Sequence, residues 1–204
     1  MEPYHIHDAL NQVRDIRQIV LEGQRFKGYS RWARALSGSL ALLAAFVMAS
    51  AWFPKTATAH LYGWGVVFGA GLFLNYGALG YKFLFASQTR QQVRTLRPTL
   101  NAFPSLFVGG VLTFTLIRIG AFDLLFGMWM CLYGVMSLAA RQGLPRLYWI
   151  VGMFYIGCGT GYLLSPEPSF LNPYPMGLVF FAGECLGGFL IGYSGKIEVL
   201  NNKN

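Results

Sequence analysis

Glu184 stands at the middle of an apolar run, residues 175–193, long enough to span a bilayer. A carboxylate at that depth costs about 3 kcal/mol on insertion scales, and it must find a proton, a polar partner or water. Desolvation alone favours the neutral acid. Gly183 and Gly187 are four apart, as are Gly188 and Gly192, and small residues at that spacing let a second helix backbone approach closely. Glu184 is therefore expected to face protein rather than lipid. Two chemistries follow. The carboxyl is a proton, cation or substrate contact, or it is a protonated structural group hydrogen-bonded to Asn75, Tyr155, Thr160 or a backbone carbonyl.

Three other polar residues need an account. Asn75 lies near the middle of a second apolar run and reads either as a hydrogen bond between helices or as the lining of a path. Arg118 and Asp123 flank the turn Gly120-Ala121 and are expected to pair across it as a structural pin. His5, His7 and His60 have no metal-ligand spacing. Cys131, Cys158 and Cys185 each lie inside an apolar run, without redox or metal spacing, and read as packing residues. Gly157-Cys158-Gly159-Thr160-Gly161 also falls within a run, where glycines serve packing or a kink. The chain has no phosphate loop, dinucleotide fingerprint or nucleophile elbow. No catalytic residue, cofactor or metal is expected.

The elements that must position these residues are membrane spans. Of 204 residues, 54% are hydrophobic and only 12% charged, about half the charge of a soluble domain. The apolar runs fall at about 36–53, 61–85, 102–119, 122–140, 147–164 and 175–193. The expected fold is an all-α integral membrane protein, a bundle of six transmembrane helices. Ala49-Ser50-Ala51 looks like a signal-peptidase site, but 35 residues precede the apolar core. A signal peptide totals about 15–30, so the first span is expected to stay uncleaved. Between the last two spans, residues 165–175 carry four prolines and read as a stiff, extended loop.

An amphipathic helix over residues 5–22 precedes the bundle. Ile6, Leu10, Val13, Ile16 and Val20 share one face. It suits the headgroup region, the bundle itself or a protein partner reached through residues 5–28. Arg25, Lys27, Arg31 and Arg34 interleave with Phe26, Tyr29 and Trp32 just before the first span. That placement marks headgroup anchoring rather than nucleic-acid binding. Between spans two and three, Arg90, Arg94 and Arg97 form a basic face if that segment is helical, with Pro98 ending it.

The basic residues set an orientation. Fourteen of the sixteen Lys and Arg fall in the amino-terminal segment, the second-to-third and fourth-to-fifth loops and the tail; Lys55 and Arg118 fall on the other side. This is a positive-inside pattern. Both termini are expected to be cytoplasmic, in the plasma (inner) membrane, with the basic face against anionic headgroups. The pattern also accounts for the net charge of +8 without any nucleic acid. A weak similarity between residues 65–81 and 177–193 leaves a parallel repeat open.

Two functions fit. The first is a non-enzymatic membrane subunit or regulator acting through the amino-terminal helix. The second is a transporter or channel for a small solute or ion, using Glu184 and Asn75.

Overall fold

Away from water, a backbone must satisfy its own hydrogen bonds, so apolar runs of this length become helices. The structure, a computed structural model, describes residues 31–85, 97–139 and 145–201. Six α-helices and no strand are found among the described residues. They are α1 Arg31–Ala49, α2 Ala57–Phe85, α3 Arg97–Arg118, α4 Leu125–Ala139, α5 Trp149–Leu163 and α6 Tyr174–Asn201. The 3-10 turns Phe122–Leu124 and Arg146–Tyr148 lead into α4 and α5. Four stretches are long and apolar enough to cross a membrane: Arg31–Ala49, Ala57–Leu74, Phe122–Ala139 and Tyr174–Tyr193. Phe103–Arg118 and Trp149–Leu163 are apolar but shorter. The amphipathic segment with Ile6, Leu10, Val13, Ile16 and Val20 lies outside the described residues, as do Arg90 and Arg94.

Several helix boundaries depart from the sequence reading: α2 begins at Ala57 rather than 61, and α6 runs on to Asn201 rather than 193. The first helix begins at Arg31 and stops at Ala49 rather than running over 36–53. Its end is closed by side chains: Ser50 Oγ donates to Val47 O at 2.7 Å and Lys55 Nζ to Met48 O at 2.8 Å. Carbonyls left over at a helix end accept such donors, and a lysine there also suits the helix dipole. Pro98 falls in the first turn of α3, where its missing N–H removes no helical bond; the segment it was expected to end lies outside the described residues. Pro104 lies inside α3 and does remove one.

The helices pack through glycines at two interfaces. Between α1 and α6, a Cβ on Gly38 would stand 2.9 Å from Glu184 Cβ, and one on Gly177 would stand 3.1 Å from Ala41 O. Contacts thus ascend α1 as they descend α6, and the pair is antiparallel. Between α4 and α5 the approach is backbone to backbone. A Cβ on Gly134 would lie 2.7 Å from Gly152 O, and one on Gly159 would lie 2.8 Å from Gly127 O. These two crossings are seven residues, or about two helical turns, apart on each helix.

The remaining core holds the loop before α6. Phe170 is buried with Leu125, Phe126 and Met130, so the proline-rich loop is anchored by this side chain while Pro166, Glu167 and Leu171 stay exposed. Outward, the helices present large apolar side chains: Val66, Phe73, Phe107, Phe114 and Phe189 are all more than half exposed. Patches of that extent suit hydrocarbon rather than water. The glycines matched in the weak repeat do unlike jobs. Gly65 and Gly71 on α2 face open space, whereas Gly177 and Gly183 on α6 are in tight contact.

Candidate functional site: a buried ion pair beside an apolar cavity

The residues on the buried face of α1 are Arg34, Gly38, Ala41, Ala45 and Met48, spaced by four, three, four and three. Arg34 therefore continues an inward stripe instead of reaching the headgroups. Its side chain lies against Gly187, where a Cβ would sit 3.0 Å from Arg34 Nε. A Cβ on Gly183, one turn away, would strike the phenol ring of Tyr155. The glycines flanking Glu184 thus make room for side chains, while Gly188 lies beside the backbone of α1, where its Cβ would be 3.3 Å from Arg31 O.

This room brings Arg34 to Glu184. Arg34 Nη2 donates to Glu184 Oε1 at 3.0 Å. Arg34 Nε stands 3.0 Å from Glu184 Oε2, as an ion-pair contact without hydrogen-bond alignment. Their side chains are 4% and 3% exposed. Tyr133, on α4, also donates its hydroxyl to Oε1. The Tyr155 hydroxyl, on α5, stands 3.4 Å from both Oε1 and Phe180 O, and its one proton is shared between two long contacts. The ring of Tyr148 lies under the guanidinium, with a centroid distance of 5.3 Å, a cation–π geometry. Helices α1, α4, α5 and α6 all contribute to this cluster.

The carboxyl was expected to meet Asn75, Tyr155, Thr160 or a backbone carbonyl, and it meets a guanidinium, a group that stays charged in proteins. Tyr155 was among the expected partners. Thr160 has another neighbour, its Oγ1 lying 3.9 Å from Cys131 Sγ. Asn75 falls within α2, and its side chain lies outside the description, as does that of Arg97 at the start of α3. Arg34 and Tyr133 were missed, the first because its basic and aromatic neighbours suggested headgroups. The signal for Arg34 was its place on the small-residue stripe. For Tyr133 no comparable signal exists.

Arg118 and Asp123 do not pair. Asp123 Oδ1 accepts from the backbone N–H of Phe170 at 2.7 Å, and Arg118 lies over the ring of Phe114 at 5.9 Å. Asp123 is turned to the loop because an N–H buried with Phe170 needs an acceptor. His60, just ahead of the apolar run at 61–85, lies inside α2. It is fully buried in the first turn of α2, with Nδ1 3.1 Å from Thr56 O and its ring edge-on to Phe53.

Beside the ion pair is a cavity of about 290 Å³. Its walls include Trp64, Phe68, Trp129 and Met136, and Arg34, Glu184 and Tyr133 border it.

No family model, curated protein or solved structure matches the chain.

The pair and its two phenols tie α1, α4, α5 and α6 together, and the pair gives the cavity a border of two opposite charges.

Proposed function

We propose that the chain is a multi-pass membrane protein of six crossing helices, with both termini cytoplasmic in the plasma (inner) membrane. On this reading it is a non-enzymatic subunit or regulator that meets its partner through residues 5–28. The lengths support six crossings. At 22 residues, α3 extends about 33 Å, and α5 with its leading 3-10 turn extends about 28 Å, against a hydrocarbon core of about 30 Å. Arg34 leaves the cytoplasmic tally once it is buried, and the basic bias of that side remains large.

The observation that carries the functional reading is the engagement of Glu184. A carboxylate held by a guanidinium and two phenols is committed to binding helices together, which is poor provision for carrying an ion or proton. The test is affinity purification of the full chain in mild detergent beside a version lacking residues 2–28. A stoichiometric partner lost on truncation is expected. The same set of copurifying proteins from both versions would exclude the amino-terminal helix as the contact. For orientation, cysteines introduced at Lys55 and Lys203 should react with a membrane-impermeant maleimide in opposite-sided vesicles. Labelling of both from one side would remove the six-span topology.

One observation favours a second reading, transport of a small solute or ion through the bundle: the pair borders a cavity rather than solid packing. That reading requires flux in reconstituted vesicles that changes when Glu184 is replaced by Gln.

A further inference from the structure

The cavity beside the pair is elongated. Phe126 and Ser137 on α4 both line it, and eleven residues of helix separate them by about 16 Å. Aromatic and aliphatic side chains form most of the wall. At the far end from Phe126, Ser137 is 5% exposed and lines the cavity. Its hydroxyl has no hydrogen-bond partner among the described residues. A buried hydroxyl bordering an apolar space gains from a partner that enters it. Tyr133, one helical turn before Ser137, donates to Glu184, and Arg34 and Glu184, which also border the cavity, cancel in charge.

We infer that this cavity binds a neutral, elongated amphiphile from the bilayer: an apolar body along Trp64, Phe68 and Trp129, with one alcohol or carbonyl head at Ser137 and the Arg34–Glu184 pair. The electrostatics select the head. An anionic head would compete with Glu184 for Arg34, and a cationic head would compete with Arg34 for Glu184. Either displacement leaves one ion unbalanced in an apolar surround, which is costly. A neutral head needs only the Ser137 hydroxyl as a partner and leaves the pair intact. The dimensions agree, since about 300 Å³ is the lower bound of ordinary ligand pockets, suiting one chain rather than a two-chain lipid. The site depends on the fold and not on residues 5–28, so a failed copurification leaves it standing.

The test uses the full chain in detergent and three twelve-carbon probes: dodecanol, dodecanoate and dodecyltrimethylammonium. Each is titrated at matched mole fraction in the micelle while the thermal unfolding midpoint is followed. Dodecanol should raise the midpoint saturably, with an apparent affinity at least about tenfold above either charged probe. Ser137→Ala should weaken dodecanol by about 3–10-fold, the worth of one neutral hydrogen bond. Gly71→Leu should abolish the saturable shift, because Gly71 lines the cavity and a Cβ there meets no heavy atom within 4 Å. Should Gly71→Leu fail to fold, Gly65→Leu serves the same purpose, since Gly65 lines the cavity and is equally open. Equal shifts from all three probes, a shift that survives cavity filling, or no saturable binding by folded protein would each overturn the site. Tighter binding of dodecanoate would overturn the neutral head.

Discussion

Arg34 Nη2 reaches Glu184 Oε1 at 3.0 Å with both side chains buried, so the charge of each is the reason the other is tolerated. Removing one partner leaves the other as a lone buried ion, at a cost of about 3–5 kcal/mol. Glu184→Gln, harmless to a neutral carboxyl, should therefore destabilise the protein strongly. Joint replacement of Arg34 and Glu184 by Met should cost less than either single change. Unfolding in mixed micelles at rising SDS fraction measures all three. Wild-type stability in Glu184→Gln would refute the ion-pair account.

The two phenols at the carboxylate should not be equivalent. Tyr133 makes a direct hydrogen bond to Oε1, and Tyr133→Phe should cost about 1–2 kcal/mol, near the upper end for such bonds inside membranes. Tyr155 stands at 3.4 Å from each of its acceptors, and Tyr155→Phe should cost below about 0.6 kcal/mol. The same unfolding assay ranks them, and a reversed order would mean that Tyr155 is the principal donor.

At the α4–α5 crossing, methyl groups would meet main chain that cannot turn aside. Gly134→Ala places Cβ 2.7 Å from Gly152 O, and Gly152→Ala places it 3.0 Å from Gly134 O. Each should cost about 1–3 kcal/mol as the helices are forced apart. Gly69→Ala, with nothing within 4 Å, should be neutral or stabilise by up to about 1 kcal/mol through helix propensity. Comparable losses at Gly69 and Gly134 would show that packing does not decide the matter.

At the turn that holds the loop before α6, Asp123→Ala should cost about 1–3 kcal/mol by stranding the Phe170 N–H. Arg118→Ala should stay within about 0.5 kcal/mol, as at an ordinary surface site. Limited proteolysis of residues 164–173 reads the first effect directly, as faster cleavage. Equal sensitivity in both variants would restore a coupled Arg118–Asp123 pair.

The sequence disclosed much of the helical plan, because a run of apolar residues near 20 long has one stable answer in hydrocarbon. Boundaries were less legible. Arg31 and Arg34 are charged, and hydropathy excludes them from a span, yet helix geometry carries both into α1. Glu184 was legible as a residue needing a partner, since an ionisable group at that depth demands one. The partner was not, because Arg34 lies next to Trp32 in a context that favours headgroups. Its stripe with Gly38, Ala41, Ala45 and Met48 carried the better clue. Asp123 was read toward the nearest cation, whereas the structure spends it on a backbone N–H forty-seven residues away, a contact no local pattern contains.

The pairing of α1 with α6 has a consequence for how the chain is made. Arg34 and Glu184 are separated by 150 residues, and at roughly 5–20 residues per second a ribosome needs about 8–30 s to cover that distance. On the six-span reading, Arg34 reaches the membrane in that interval without its counter-ion, and the stable place for it there is the headgroup region, reached by snorkelling. Its descent to the buried position must await α6. A chain stopped before Glu184 therefore holds Arg34 with no carboxylate to meet it, and the pair forms only when the last described helix docks against the first.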